Sequence, residues 1–213
     1  MSTPTPTAAP IVLYRHPLSG HSHRVELFLS LLGLPATLVD IDLRTGEHKQ
    51  PPFLALNPLG QLPVLRDGTL VLTDSQAILV YLATRYGDER WLPRDPIGAA
   101  AVQRFMSLAA GELVQGPMSA RLVTVFGLPR DHEAAKASAH RLLAMLDGHL
   151  TAHTFLAAEH PTIADLAHYA YIAHAPEGGV SLEAYPHVRS WLARIEALPG
   201  FVPMRATRVA LAA

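Results

Sequence analysis

The sequence predicts an α+β domain followed by an all-α helical domain. Three observations carry that expectation. Short β-prone runs are confined to the first 72 residues. Two of them flank Asp67-Gly68, and Asp-Gly between apolar runs is the strongest short-range hairpin signal. Beyond Gly87 the strand signals largely stop and helical patterns take over, and strands followed by helices argue for separate layers or domains.

In chain order, Ile11 to Tyr14 is a β-prone run, ended by Arg15-His16-Pro17-Leu18-Ser19-Gly20. A helix is expected from about Ser22, with Val25, Leu27, Phe28, Leu31 and Leu32 apolar and Gly33 as its stop. Ala36 to Asp42 follows as a second strand, and a strand–helix–strand unit of this length favours a parallel pair with a right-handed crossover. Residues 43–50 are a polar loop, and Pro51 to Leu56 a short helical turn. Leu62 to Leu65 and Thr69 to Leu72 form the hairpin, with Pro63 at its head, where a strand tolerates a missing N–H. Thr73, Asp74 and Ser75 are N-cap types. They precede Ile78, Tyr81, Leu82 and Arg85 at helical spacing. Asp95-Pro96 is an N-cap with an N1 proline, opening a helix expected to run to about Gln115, where Gly116-Pro117 interrupts it. Further helices are expected from Asp131, from Thr162 and from Pro186. Thr162 and Asp165 have capping-box spacing, a structural role in which loss of Asp165 impairs folding. The expected organisation is a disordered tail at 1–10, a first domain at 11–86, a linker at 87–95 and a helical domain at 96–213.

Composition narrows the function. The net charge is −1, which gives no electrostatic footprint for nucleic acid or an anionic membrane. Only 16% of residues are charged while 49% are apolar, against roughly 25% charged in a typical domain. A low-charge chain of this kind is expected to cover apolar surface with a partner. There are no cysteines, so disulfides, thiolate metal sites and a protein thiol nucleophile are excluded. Any sulfur chemistry takes its thiol from the ligand. The first ten residues have neither a basic nor an apolar region and are not expected to be a signal peptide. No apolar run approaches the ~20 residues that span a bilayer. A cytoplasmic location is expected.

The stretch Asn57-Pro58-Leu59-Gly60-Gln61-Leu62-Pro63, followed by the hairpin and the acidic-Ser pair Asp74-Ser75, resembles the glutathione-binding half of the soluble glutathione transferase family. Similarity extends from Ile11 to about Phe201, including the Pro161-Thr162-Ile163-Ala164-Asp165-Leu166 motif of the second domain. The resemblance implies a thioredoxin-like first domain and a cis peptide before Pro63. It implies glutathione as co-substrate, paired to the Leu62 backbone. Asp74 takes its α-amino group, and Ser75 with the following helix N-terminus takes its α-carboxylate. His48 and Gln61 are implied at the glycyl end, where Gln61 stands in place of a common lysine and weakens the attraction for a carboxylate. Gln115, near the end of the first long helix of the second domain, is expected to meet glutathione or the hydrophobic electrophile, and Leu18 is expected on the electrophile side.

The family's activating hydroxyl sits just after the first strand. Tyr14 comes one residue early, and alternation along a strand turns it away from the site. Aligning Arg24-Val25 with the serine-type pattern Ser-x-x-Ser-x-Arg-Val places Ser19 on the catalytic serine. A free thiol has pKa ≈ 8.5, and a hydrogen bond to a charged partner contributes about 1.5–3 kcal/mol, or roughly one to two pKa units. One donated hydroxyl, with the potential of the following helix N-terminus, is enough to make thiolate the main species. Ser19 then needs no base.

Three histidines, His16, His21 and His23, crowd this loop. The i, i+2 pair His21/His23 does not share a helical face, and no fourth ligand is spaced nearby, so no metal is expected. Phe105, Met106, Met118 and Phe126 are expected in the core. His21 stands where the zeta class has a cysteine, which speaks against maleylacetoacetate isomerisation. The expected activity is conjugation of small hydrophobic electrophiles to glutathione by a homodimer. Two alternatives stay open: a glutathione-dependent disulfide or peroxide reductase using two glutathione molecules, and a non-catalytic binding protein of the same fold.

Overall fold

A computed structural model describes residues 10–208. The tail expected at 1–10 lies, but for Pro10, outside the described residues. Four strands, β1 (Ile11–Arg15), β2 (Ala36–Asp40), β3 (Val64–Asp67) and β4 (Leu70–Thr73), form one mixed sheet in the order β2-β1-β3-β4. β1 and β2 are parallel, joined across α1 (Gly20–Leu31), while β3 is antiparallel to both β1 and β4. The hairpin turns at Gly68, whose φ of +60° suits a residue without Cβ. α2 (Pro51–Leu54) is a single turn, and α3 (Ser75–Arg85) follows β4. This is the thioredoxin-like arrangement expected from the sequence.

The helical domain contains α4 (Pro96–Ala110), α5 (Ser119–Phe126), α6 (His132–His149), α7 (Ile163–Ala173) and α8 (Pro186–Glu196). Sequence reasoning extends α4 to Gln115, but it stops at Ala110. A π turn, Val114–Met118, contains Pro117, which cannot donate into an α ladder. Ser119 Oγ donates to the Val114 carbonyl at 2.6 Å, and the chain continues as α5, which the sequence reading does not predict. α1 begins two residues earlier than expected because Ser19 caps it: its Oγ accepts from Ser22 N–H at 3.2 Å.

α7 is the central helix. Every residue from Ile163 to Ile172 is buried, as expected for a helix apolar around its whole circumference. It packs against α1 and α4, so one core runs through sheet and bundle. Phe28 meets Trp91 edge-on at 4.9 Å across the junction. The capping box at Thr162 forms, and more is built on it. Asp165 Oδ2 accepts from the Thr162 N–H and hydroxyl, and Oδ1 from Leu156 N–H and Trp191 Nε1–H, all at 2.8–3.0 Å. Phe105 and Met106 are buried and Met118 packs on the core, as expected. Phe126 departs from that expectation: it is half-buried and its ring meets His16 at 5.8 Å. Among the described residues, no helix is long and apolar enough to cross a membrane.

Candidate functional site

Sheet register brings the separated motifs to one end of the sheet. Tyr14, near the end of β1, pairs with Val64 at the start of β3, and Val64 pairs with Thr73 at the end of β4. The loop from His16 to Ser19, the Leu62-Pro63 peptide and the Asp74-Ser75 corner therefore emerge side by side. The Leu62-Pro63 bond is cis. Tyr14 points elsewhere, into a small cluster with Ile41, Phe53 and Val64, its ring 6.4 Å from Phe53.

Ser19 is half-buried, and its backbone N–H donates to the His16 carbonyl at 2.9 Å. One lone pair of its hydroxyl is taken by Ser22 N–H; the hydroxyl can still donate. The loop in front of it is tied to the helical domain. Arg121 Nη1 donates to the Leu18 carbonyl at 2.7 Å, and Arg121 Nε donates to Glu177 Oε2 at 2.7 Å. Both side chains of this ion pair are buried. Glu177 Oε1 also accepts from His174 Nδ1 and from Thr207 N–H. Burial alone would raise the Glu177 carboxyl, but Thr207, His174 and Arg121 together hold it below the usual carboxylate range. Burial lowers His174, so it serves as a neutral donor.

At the second corner, Asp74 adopts φ +67°, the one non-glycine residue with positive φ among the described residues. Such conformations cost of order 1–3 kcal/mol and cluster at ligand clamps. Its Oδ1 accepts from both Gln76 and Ala77 N–H at 2.9 Å. The first turn of α3 therefore spends two N–H groups on its own cap, which limits what it can offer an anion, and Asp74 Oδ2 is the oxygen left for a cationic ligand group. Ser75 is buried, accepts from Arg24 Nη1 at 3.1 Å and lies 3.4 Å from His21 Nδ1. Arg24 is fully buried, donates Nη2 to the Ala167 carbonyl at 2.6 Å and makes no ion pair among the described residues. Burial lowers it to about 10, so it stays charged and places positive potential behind Ser75. A buried cation of this kind favours a carboxylate at that corner.

His21 is not a base for this site. Burial, aided by Arg24, lowers it to about 3. His23 is lowered by burial to about 4 and bonds the Val202 carbonyl through Nε2 at 2.8 Å. His16 is likewise lowered by burial, and its Nδ1 accepts from Leu18 N–H at 3.3 Å. Among the described residues no group of three or more His, Asp and Glu side chains is placed to hold a metal.

Asn57 organises the third wall. Its Nδ2 donates to the Gln61 carbonyl at 2.8 Å and its Oδ1 accepts from Leu59 N–H at 3.1 Å. Gly60 has φ +58°, and a Cβ there would fall 2.6 Å from the His48 carbonyl. That contact brings the 310 turn Glu47–Lys49 against the Asn57–Gln61 loop, so His48, Gln61, Leu62 and Pro63 belong to one region. Gln61 is exposed and His48 half-buried. Gln115 is exposed on the π turn, with no side-chain hydrogen bond to the site residues among those described. Sequence reasoning missed Arg121, Glu177 and Tyr171; Arg24 served it only as a motif anchor. A cavity of about 700 Å³ lies at the far end of α1 between Leu31, Trp91 and Leu198 and shares no residue with this site.

The chain matches two family profiles: the N-terminal domain of glutathione S-transferase over residues 18–85 and the C-terminal domain over residues 118–199. Glutathione S-transferase 3 of Zea mays is 36% identical over 205 residues, covering 91% of this chain and 92% of the relative. A solved structure of a possible glutathione S-transferase from Rhodopseudomonas palustris superposes with a TM-score of 0.86 at 32% identity, over 93% of this chain and all of that one. A glutathione transferase homologue from Drosophila mojavensis, solved with bound glutathione, superposes with a TM-score of 0.81 at 26% identity, over 89% of each chain.

Proposed function

The chain belongs to the glutathione S-transferase family, and from that premise we propose that Ser19 is the hydroxyl that activates glutathione. The protein is a glutathione transferase with glutathione as co-substrate. The observation that carries the role of Ser19 is its place: a half-buried N-cap serine whose Oγ already accepts one N–H and retains its hydrogen. That hydrogen is donated to the glutathione sulfur, the thiol proton leaves to solvent, and the thiolate attacks the electrophile. Without a nearby base of ordinary strength, stabilisation of the anion does the work.

Glutathione lies along Leu62, its α-amino group on Asp74 and its α-carboxylate on Ser75, where the buried Arg24 supplies attraction. His48 and Gln61 meet its glycyl end, and Leu18 and Gln115 flank the electrophile. The division into a glutathione-binding domain at 11–86, a linker at 87–95 and a helical domain from 96 onward follows from the same reading. The enzyme acts in the cytoplasm, as a homodimer. The low charge content supports the dimer, as do the exposed apolar side chains of Leu70, Val71, Val80 and Ile97; a monomer mass in sedimentation equilibrium refutes it, as recovery in a membrane or secreted fraction refutes the location.

The test is the thiol pKa of bound glutathione, followed by thiolate absorbance in the wild type and in Ser19→Ala. A depressed pKa that rises by about one to two units in the variant is expected. A depressed pKa unchanged by the substitution refutes the role of Ser19.

A further inference from the structure

We propose that Arg121, held by Glu177, is a positioning residue for the thiolate chemistry: by fixing the Leu18–Ser19 peptide it aims the Ser19 hydroxyl at the glutathione sulfur. The inference rests on the activating role of Ser19. A peptide unit is a rigid plane, so bonds to its two opposite edges settle its orientation. The Leu18–Ser19 unit has both: its N–H donates to the His16 carbonyl at 2.9 Å, and its carbonyl accepts from Arg121 Nη1 at 2.7 Å. Beyond it, the Ser19 carbonyl accepts from His23 N–H at 2.9 Å, and Ser19 Oγ accepts from Ser22 N–H at 3.2 Å. Backbone and side chain are thus held on every side, and the hydroxyl hydrogen is the group left over. Of these bonds, only the one from Arg121 crosses from the helical domain.

Arg121 is itself confined to one place. It is buried, and its Nε donates to Glu177 Oε2 at 2.7 Å. Glu177 is buried too and is fixed by three more bonds. Its Oε1 accepts from His174 Nδ1 at 2.9 Å and from Thr207 N–H at 2.8 Å, and its backbone carbonyl accepts from Thr124 Oγ1 at 2.6 Å. The turn Ala175–Gly178 that carries Glu177 lies flush on α5, since a Cβ at Gly178 would fall 2.7 Å from the Arg121 backbone nitrogen. A planar guanidinium fork locked in this way delivers one N–H to one point in space, as a preorganised support requires. Stability alone does not call for such a pair, because apolar side chains of similar volume often replace a buried ion pair at little or no cost. What they cannot replace is the N–H for the Leu18 carbonyl.

The experiment measures the thiol pKa of bound glutathione in the double variant Arg121→Met, Glu177→Leu, which removes the pair without stranding a charge. Loosening the Ser19 donor is expected to forfeit about half of its effect, a rise of about 0.5–1 unit. The pH profile of kcat/KM should move upward by the same amount, with glutathione affinity within about twofold at a pH where the thiol stays protonated. A melting temperature that changes while the profile stays in place marks a purely structural pair and overturns the proposal. Arg121→Lys keeps a partner for Glu177 and so protects folding, but its ammonium has no rigid fork to serve two acceptors at once. The thiol pKa should rise there too, and an unchanged value overturns the proposal. In a Ser19→Ala background the double variant is expected to add nothing. An equal rise there overturns the proposal, because the pair would then act on the sulfur without Ser19. No rise in the double variant, while Ser19→Ala shows its own, overturns the role of Arg121 alone. No effect of Ser19→Ala refutes the underlying reading, and the proposal with it.

Discussion

Acid should unfold this protein before its carboxylates titrate. His23 and His168 are buried, at 2% and 0% exposure, and burial lowers each to about 4. An unfolded histidine titrates near 6.5. Below that pH the unfolded chain binds protons that the native state refuses, so stability is full above about 6.5 and falls as pH drops toward 4. At pH 5 each histidine costs about 2 kcal/mol relative to pH 8, so the pair costs about 4 kcal/mol. His21, partly exposed and lowered to about 3, adds a smaller amount. Total stabilities are typically 5–15 kcal/mol, so the loss takes a large share. The assay is urea unfolding at half-unit steps from pH 8 to 5, followed by tryptophan fluorescence, since Trp191 is fully buried. Between pH 6 and 5 the slope should approach about 2–2.5 kcal/mol per unit. A slope below about 1.4 kcal/mol per unit, the uptake of one proton, would refute the reasoning. His168→Gln should flatten the curve by about one proton.

Two further substitutions test the supports of the site. Arg121→Met strands the buried Glu177 carboxylate and releases the Leu18 carbonyl; breaking one side of a buried pair costs about 3–5 kcal/mol, read by urea unfolding, and an effect below about 1 kcal/mol would contradict the network. Arg121→Met with Glu177→Leu should recover much of that loss, since apolar replacement of a buried pair is often near neutral. Asp165→Ala leaves four donors without an acceptor, each worth about 1–3 kcal/mol when buried. It should reduce refolding yield severely, while whatever folds binds glutathione with unchanged affinity; normal refolding with weakened binding would reverse the assignment.

What the sequence revealed was local chemistry. The Asp67-Gly68 hairpin, the Asp74 and Asp95 caps and the Thr162–Asp165 box each close within four residues, so propensity and spacing suffice. The break after α4 was legible as Pro117, but its form was not: whether a chain kinks, stops or widens into a π turn depends on what Ser119 and Val114 do together. Phe126 was misjudged for a related reason, since it lies on α5, a helix whose apolar face could not be placed without knowing where Pro117 redirects the chain. Side-chain networks were invisible. Arg121 reaches Leu18 across 103 residues, and Arg24 reaches Ala167 across 143.

Those long-range bonds change what the loop before Ser19 is. The residues proposed to bind glutathione all come from the first domain, yet three contacts that fix their geometry come from the second. Arg121 holds the Leu18 carbonyl, the Ala167 carbonyl receives Arg24, and the Tyr171 ring closes over Gly20. A buried guanidinium without an ion-pair partner is tolerable only if neutral acceptors satisfy it, and Ala167 is one of the two it has. Separating the sheet from the helices would leave Arg24 short of an acceptor and remove the groups that define the turn before Ser19. The helical domain therefore does more than line the proposed electrophile side of the site. It sets the position of the hydroxyl proposed to activate the thiol, through α7, which is remote in sequence from every proposed glutathione ligand and is buried from Ile163 to Ile172.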